Sequence, residues 1–155
     1  MKLILVTGAN GQLGKSIHRN SSNYPELKIV FTDVEELDIT KIEEVNAFFK
    51  NHAFDYCINC AAYTAVDKAE EEVDKAFLIN ATAAKNLAQA CQTSEAVLIH
   101  ISTDFVFDGS KRTPYTEEDT ATPLSVYGKS KLQGEEYIQE IWNKHFILRT
   151  SWLYS

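Results

Sequence analysis

Short apolar runs alternate along the chain with longer segments in which apolar residues recur at helical spacing. The short runs are rich in β-branched and aliphatic residues and predict five strands, at 2–7, 28–32, 54–60, 96–103 and 145–150. The longer segments predict helices near 11–20, 41–51, 72–92 and 124–143. A Thr40-x-x-Glu43 pattern at the start of the second helix is typical of a capping box.

Strands that alternate with helices of this length predict a parallel sheet joined by right-handed crossovers. We therefore expect an α/β fold with a doubly wound parallel sheet in the strand order 3-2-1-4-5, which binds ligands between strands 1 and 4. In that order the first two helices share one face, and strands 4 and 5 have no cover on it. Because both strands are apolar on both sides, we expect this chain to self-associate or to need a further segment.

Composition limits the classes of partner. The chain has 155 residues and a formal net charge of −7, with no cluster of Lys and Arg. Nucleic acids and anionic membranes require such clusters, so we expect neither as a partner. No apolar run approaches the length of a membrane span, and the apolar start ends in a glycine-rich turn, which predicts a strand and not a signal peptide.

The chain has three cysteines, Cys57, Cys60 and Cys91. An odd number without a secretion signal is typical of reduced thiols in the cytoplasm. Cys57 and Cys60 form a C-x-x-C, which could be a redox or metal pair. The pair lies inside a strand-like run, no second pair accompanies it, and the histidines show no ligand spacing, so the sequence indicates no zinc site.

Three glycines, Gly8, Gly11 and Gly14, follow the first strand and lead into a helix. Glycine tolerates the tight turn and lets backbone amides approach a pyrophosphate, and the helix N-terminus adds partial positive charge. The spacing is one residue longer than the G-x-G-x-x-G fingerprint, and a purely structural turn is the alternative. The position favours a dinucleotide-binding, Rossmann-like domain over residues 1–155.

The second strand ends at Asp33, where a carboxylate can accept hydrogen bonds from the adenosine ribose hydroxyls. The same carboxylate repels a 2′-phosphate, so NADH is favoured over NADPH. A turn-forming aspartate is the alternative interpretation. Asp38 begins a further polar turn that could border the adenine.

Tyr127 and Lys131 are four residues apart in the first turns of the last helix, so they share a face. A lysine cation beside a tyrosine lowers the pKa of the phenol and makes it a general acid or base near neutral pH. A second pair with this spacing, Tyr24 and Lys28, contains Pro25, so the spacing alone does not decide. Thr103 ends the fourth strand and brings a hydroxyl to the same edge of the sheet, which favours an active site over an amphipathic helix.

Together, the glycine turn, the Ser/Thr at the end of strand 4 and Tyr-x-x-x-Lys resemble the extended short-chain dehydrogenase/reductase superfamily. Three stretches, "NCAAYTAVDKAEEE" (59–72), "STDFVFDGSKRTPYTEEDTATPLSVYGKSKLQGE" (102–135) and "LRTSWLYS" (148–155), are similar to the dTDP-4-dehydrorhamnose reductase family. The likeness covers the whole chain. It implies hydride transfer from NAD(P)H to C4 of dTDP-4-dehydro-L-rhamnose, giving dTDP-L-rhamnose.

The resemblance also implies residue roles. Tyr127 would protonate the sugar oxygen, and Lys131 would bind the nicotinamide ribose and tune Tyr127. Thr103 would hydrogen-bond the substrate oxygen, with Asp104 beside it and Trp152 lining the sugar site. It implies that the pyrophosphate contacts Gly11, Gln12 and Leu13. The adenosine end of the cofactor would contact Asp33, Asp38 and Ile39, and the middle of the cofactor would contact Ala62, Tyr63 and Thr64.

Length is the departure from this family, whose chains are roughly twice as long and close the sugar-nucleotide site with their C-terminal part. The acidic groups that bind Mg²⁺ in some members lie mostly in that part, so no metal is expected here. Two alternatives stay open: a non-catalytic regulatory subunit resembling the beta subunit of methionine adenosyltransferase, and a related nucleotide-sugar epimerase or dehydratase. The intact set of Thr103, Tyr127 and Lys131 favours the reductase.

Overall fold

All five predicted strands are present and pair in parallel in the computed structural model, which describes residues 1–153. The strands are β1 (Lys2–Thr7), β2 (Leu27–Thr32), β3 (Tyr56–Asn59), β4 (Val97–Thr103) and β5 (His145–Thr150). The helices are α1 (Gln12–Asn20), α2 (Ile42–Asn51), α3 (Val66–Ala69), α4 (Val73–Phe77), α5 (Ala83–Ser94) and α6 (Val126–Ile141). Short 3₁₀ turns span Ser21–Asn23 and Asp104–Val106, and a π-helical turn spans Leu78–Thr82.

The doubly wound parallel sheet is confirmed, but its strand order is β2-β1-β3-β4-β5 and not 3-2-1-4-5. β3 pairs with β1 on the side away from β2, which leaves β2 at an edge. The residue patterns agree with this order, because β2 carries the exposed Lys28 whereas Cys57 and Asn59 of β3 are buried. A charged side chain suits an edge strand, and an uncharged strand suits the interior of the sheet.

The reversal of strand order between β1 and β3 also changes which helices share a face. The right-handed crossover from β2 to β3 runs opposite to the one from β1 to β2, so α2 lies across the sheet from α1. Val45 and Phe49 of α2 pack in one core with Leu87 of α5 and Ile138 of α6. On the other face, the His18 ring of α1 contacts Phe31, with the ring centroids 4.4 Å apart. The prediction that the first two helices share a face is therefore wrong.

Two local predictions also need correction. The helix predicted over 72–92 is present as a helical run over 73–94, but it contains a π-helical turn between α4 and α5, where Asn80 makes buried hydrogen bonds with Tyr63 and Ser130. The predicted capping box is absent. α2 starts one residue later than that box requires, with Lys41 at its N-cap, and the Thr40 hydroxyl donates to Asp38 at 2.6 Å instead.

The α1 face of the sheet stays open over β4 and β5. Ile99 pairs with Phe146 and Ile101 with Leu148, so these side chains point to the same face. Phe146 is 62% exposed and Leu148 is 51% exposed, although both belong to a strand of a parallel sheet. Parallel sheets normally bury both faces, so this surface is typical of an interface.

We predict that the 155-residue chain self-associates through this surface, because pairing two such faces removes apolar area from water. In sedimentation velocity, the chain should contain species larger than a monomer. A Phe146→Ser/Leu148→Ser variant should shift toward the monomer, whereas Leu124→Ser, a change at an exposed leucine of the loop before α6, should not. A monodisperse monomer of the unaltered chain across the accessible concentrations would contradict the prediction.

Candidate functional site

The turn after β1 comes so close to the turn after β3 that only glycine fits. Gly8 has φ +66°, and a Cβ on it would lie 2.6 Å from the backbone nitrogen of Ala61. A Cβ on Gly14 would lie 2.5 Å from the carbonyl oxygen of Gly8, so α1 starts directly against the turn. The N-cap of α1 is Gly11, and the first turn contains no acidic residue. This helix start therefore keeps the electropositive character that suits an anion.

A cleft of about 520 Å³ opens beside this turn, at the point where the strand order reverses between β1 and β3. Doubly wound sheets bind ligands at the switch point of their strand order. In this sheet the switch point lies between β1 and β3, and not between strands 1 and 4 as expected. Six of the predicted cofactor residues line the cleft: Gly8, Gly11, Asp33, Asp38, Ile39 and Ala62. Its lining also contains residues that the motifs did not indicate: Thr7, Asn10, Val34, Leu37, Thr40, Cys60, Ala61, Lys75, Leu78 and Ile79.

Asp33 occupies the predicted place at the end of β2, and its carboxylate faces backbone donors. The backbone N–H of Asn10 donates to Oδ2 at 2.8 Å, and that of Val34 donates to Oδ1 at 2.9 Å. The carboxylate is thereby fixed at the rim of the cleft, next to the glycine turn.

Asp38 also lines the cleft, but its carboxylate is occupied by its own turn. The backbone N–H and the hydroxyl of Thr40 donate to Oδ1 at 3.0 and 2.6 Å. These bonds, with Lys41 nearby, hold the pKa of Asp38 below its usual value. Asp38 therefore shapes the wall of the cleft through the turn that it closes.

The loop after β3 is held by a buried asparagine. Asn80 Oδ1 accepts from the backbone N–H of Tyr63 at 2.8 Å, and Nδ2 donates to the Tyr63 carbonyl and to Oγ of Ser130. Ser130 donates in turn to the carbonyl of Tyr127 at 2.8 Å. Tyr63 is buried, and its hydroxyl donates to Glu72, while Thr64 is exposed. Asn80 thus ties the wall of the cleft to the start of α6.

The hydroxyl groups of Tyr127 and Thr103 are brought together at the carboxyl end of β4. The Thr103 side chain lies close enough to the phenol to lower the pKa of Tyr127, although burial raises it by more. Thr103 is itself fixed, because its Oγ1 donates to Asp104 and accepts the backbone N–H of Phe105, each at 3.2 Å. The phenol ring packs edge-on against Phe105 and borders the small apolar cluster that contains Tyr63.

Lys131 lies one turn further along α6 and is 1% exposed. Nζ donates to the carbonyl of Ile101 at 2.7 Å and lies 3.2 Å from Nε2 of His100. Burial lowers the pKa of Lys131 to about 8, although the negative charge of Glu135 acts to raise it. The predicted lowering of the Tyr127 pKa by the Lys131 cation is not found, because the amine turns toward β4 and burial dominates at the phenol.

A buried ion pair that sequence reasoning missed supports this end of α6. Glu135 is 1% exposed and accepts from Ser102 of β4 and from Nε and Nη2 of Arg149, the latter at 2.6 Å. The pair links α6, β4 and β5 near the carboxyl end of β4. The i+4 spacing of Glu135 from Lys131 was the available signal, since it puts both on the buried face of α6.

The other predicted residues are more dispersed. Asp104 does not line the nucleotide cleft but borders a second cavity of about 600 Å³ between the loop after β4, α6 and β5. Trp152 is 83% exposed and lines neither cavity. Gln12 and Leu13 lie in the first turn of α1, where Nε2 of Gln12 donates to the carbonyl of Leu153. The larger cavity lacks the glycine turn, so the cleft beside that turn is the candidate nucleotide site.

The C-x-x-C does not form a functional pair. Cys57 points into the core toward Cys91, and burial and that neighbour raise its pKa well above the usual value. Cys60 points into the cleft, and burial raises its pKa to about 11. Within residues 1–153, no three His, Cys, Asp or Glu side chains are grouped closely enough to hold a metal ion. In the same range, no helix is both long and apolar enough to span a membrane.

The doubly wound parallel sheet, with its cleft at the switch point, defines the class of the protein as a Rossmann-like α/β domain. Within that class, the chain belongs to the family described as RmlD substrate binding domain, whose family model matches residues 1–155. The dTDP-4-dehydrorhamnose reductase of Aggregatibacter actinomycetemcomitans is 41% identical over 154 residues, which is 99% of this chain and 52% of the relative. The Escherichia coli K12 reductase is 41% identical over 156 residues, 98% of this chain and 52% of the relative.

Two solved structures of this kind superpose closely. A dTDP-4-dehydrorhamnose reductase from Clostridium acetobutylicum has a TM-score of 0.95 and 48% identity, covering 98% of this chain and 54% of its own. One from Bacillus anthracis, solved in complex with NADP, has a TM-score of 0.95 and 46% identity, covering 99% of this chain and 55% of its own. The chain therefore spans about half the length of the curated relatives it matches.

Gly128 permits the close approach of α6 to the turn that carries Thr103, and the sequence analysis missed it. A Cβ there would lie 2.2 Å from the carbonyl oxygen of Phe105. We predict that Gly128→Ala lowers the free energy of unfolding by about 1–3 kcal/mol, because overpacking against backbone exceeds the gain in helix propensity of about 1 kcal/mol. Urea unfolding measures this, with Lys129→Ala on the exposed side as the control. Equal or greater stability of Gly128→Ala would show that the approach is not constrained.

Proposed function

We propose that this chain is the cofactor-binding and catalytic half of an enzyme that reduces the C4 keto group of dTDP-4-dehydro-L-rhamnose to dTDP-L-rhamnose, using NAD(P)H. The observation that carries the proposal is the placement of Tyr127 beside Thr103 at the carboxyl end of β4, with Lys131 one helical turn away. The Tyr127 ring packs against Phe105, whose backbone N–H donates to Thr103. The reductases that match this chain over its whole length support the choice of reaction and substrate.

The residues present fit a nicotinamide dinucleotide. Gly8 and Gly14 have no Cβ to fill the turn. The N-terminus of α1 points at the same turn, and it is electropositive because no side chain caps it. Gly11, Gln12 and Leu13 would hold the pyrophosphate. The walls of the cleft provide apolar area for the adenosine from Val34, Leu37 and Ile39.

A bound reduced nicotinamide supplies the hydride that a carbonyl carbon accepts. In the proposed reaction Tyr127 donates its hydroxyl proton to the carbonyl oxygen, which becomes the C4 hydroxyl of the product. Thr103 hydrogen-bonds the same oxygen and orients the phenol. Lys131 would hold the nicotinamide ribose. The contacts of both residues with Phe105 support this division, because they place Tyr127 and Thr103 at one point of the sheet edge.

For the sugar nucleotide, we propose a position beyond Thr103, toward the second cavity that Asp104 borders. The loop that forms this cavity is ordered by its own contacts. Phe107 stacks on Tyr115 with ring centroids 4.1 Å apart, and the Arg149 guanidinium lies 5.0 Å from the centre of the Phe107 ring. The role proposed for Trp152 requires a contact beyond the described residues, because its side chain is exposed.

We predict that NADH binds more tightly than NADPH, because the Asp33 carboxylate at the cleft rim repels a 2′-phosphate. Like charges about 4 Å apart in water repel by about 1 kcal/mol, so the difference should be several-fold. Asp33→Asn should reduce the difference between the NADH and NADPH affinities. Glu35→Gln, which makes an equal change of charge at an exposed neighbour, should leave that difference unchanged. Calorimetric titration of both cofactors measures the ratio. Tenfold tighter binding of NADPH to the unaltered chain would overturn this preference.

We further predict that Tyr127→Phe, in a protein extended to the length of the relatives, lowers turnover by about 10² or more, because it removes the general acid. The affinity for NADH should change little. Tyr24→Phe is the matched control, since Tyr24 has the same spacing to a lysine but lies outside the site. The measurement is NADH oxidation with the 4-keto sugar nucleotide.

The same assay separates the reductase from the open alternatives. Near-normal turnover in Tyr127→Phe would reject the assignment of the general acid. An extended protein that binds NADH but reduces no 4-keto sugar nucleotide would favour the non-catalytic regulatory subunit. Interconversion of sugar epimers without net oxidation of NADH would favour the epimerase.

A further inference from the structure

A chain of buried polar groups runs beneath the sheet edge from β1 to α6. The Thr7 hydroxyl donates to Oδ1 of Asn59 at 2.8 Å, and Nδ2 of Asn59 lies 3.0 Å from Nδ1 of His100. The other ring nitrogen, Nε2, lies 3.2 Å from Nζ of Lys131. All four side chains are at most 1% exposed. The proposed reaction assigns a role to Lys131 alone.

The direction of the hydrogen bonds in this chain is fixed at its β3 end. The backbone N–H of Ala61 can only donate, and it lies 3.1 Å from Oδ1 of Asn59. The oxygen of the Asn59 amide must therefore point to Ala61, and its NH₂ group must point to His100. Because an NH₂ group can only donate, Nδ1 of His100 has to accept. A neutral imidazole that accepts at Nδ1 carries its proton on Nε2.

If both ring nitrogens of His100 were protonated, Nδ1–H and the NH₂ group of Asn59 would be two donors facing each other with no acceptor between them. Burial agrees with a neutral ring, since it lowers the pKa of His100 well below its usual value, and Lys131 lowers that pKa further whenever it is an ammonium. The Nε2–H of His100 then faces the Lys131 side-chain nitrogen. An ammonium has donors only, whereas a neutral amine has a lone pair that accepts this hydrogen while its own N–H donates to Ile101.

We propose that His100 is a positioning residue that donates its Nε2–H to the neutral amine of Lys131, holding the nitrogen against β4 and stabilising the deprotonated form of the lysine. Asn59 acts behind it by fixing the tautomer of the ring. The orientation of the Asn59 amide is set by the backbone N–H of Ala61, and the Ala61 backbone also packs against Gly8 in the glycine turn. The protonation state of Lys131 is thereby linked to the geometry of the cleft.

The other charged groups around Lys131 do not reverse this assignment. Glu135 on the same helix favours the ammonium, but its carboxylate is bound by Arg149 of β5 and by Ser102 of β4. Tyr127, one turn earlier, is a neutral phenol whose pKa burial raises. The pKa of Lys131, lowered to about 8, agrees with a lysine that exchanges its proton near neutral pH.

This inference rests on the proposed function only for its consequence in turnover. When Tyr127 gives its O–H proton to the sugar oxygen, a phenolate remains. An ammonium at Lys131 is one turn of α6 from that phenolate and can supply the proton that restores the phenol, and the amine left behind accepts the His100 N–H. Solvent then restores the ammonium, so the protons balance over one cycle.

The first measurement uses the unaltered 155-residue chain and its ¹⁵N-labelled histidine rings. We expect His100 to show a protonated Nε2 and an unprotonated Nδ1 throughout the pH range in which the chain is folded. A protonated Nδ1 in the neutral ring, or a doubly protonated ring near neutral pH, would overturn the proposal. This result does not depend on any variant folding.

The second measurement follows the pKa of Lys131 through its ¹³Cε signal, assigned with Lys131→Met. In the unaltered chain it should titrate near 8. His100→Gln can turn an amide oxygen toward the ammonium, and His100→Asn keeps an acceptor for Asn59 but removes the donor to Lys131. Both should raise the pKa by about one unit or more. His52→Gln, at a histidine that contacts the Phe48 carbonyl instead, should leave it unchanged.

A Lys131 pKa that stays at its original value in both folded His100 variants would reject the positioning role. Neither measurement involves cofactor or substrate. A failed reductase assay would therefore leave the result on His100 intact, and a failed titration would leave the assignment of Tyr127 intact.

Discussion

The close approach of the turn after β1 to the turn after β3 is the constraint on which the site depends. At Gly8 the backbone has φ +66°, and any Cβ would overlap Ala61. This contact forms only because β3 lies directly beside β1, where the sheet reverses its winding. It brings the start of α1 and the end of β3 to opposite sides of one cleft, so the fold and the nucleotide site are consequences of the same strand order.

Polar groups below this edge are buried, and burial requires that each finds a partner. Within the described residues no buried side-chain nitrogen or oxygen lacks one. Asn80, His100 and Glu135 each join two or more elements through hydrogen bonds, so the position of α6 is set by directional contacts as well as by apolar packing. Such networks specify one arrangement, because leaving a member unpaired in the interior costs about 1–3 kcal/mol. That precision would serve the role proposed for Tyr127 and Thr103, in which two hydroxyl groups act on one oxygen.

Helices cover one face of the sheet, whereas the α1 face is left uncovered over β4 and β5. Helices α2, α5 and α6 bury Leu5 and Leu98 completely, whereas Phe146 and Leu148 face outward at the other side. An exposed β5 edge beside an apolar face is a surface that proteins usually cover. The relatives that match this chain are about twice its length. The candidate site and the uncovered surface thus both lie within the half of the relatives' length that this chain matches.

Local patterns in the sequence determined the five strands, the parallel sheet, the glycine turn and the candidates Asp33, Tyr127 and Thr103, because periodicity and turn chemistry act between near neighbours. The tertiary structure decided the strand order, since whether β3 pairs beside β1 or beyond β2 depends on packing between distant segments. It also decided that Lys131 faces His100 and Ile101, and that Asn80 interrupts a helix. Those contacts join residues 17 to 50 positions apart, and no local pattern encodes which buried donor will meet which acceptor.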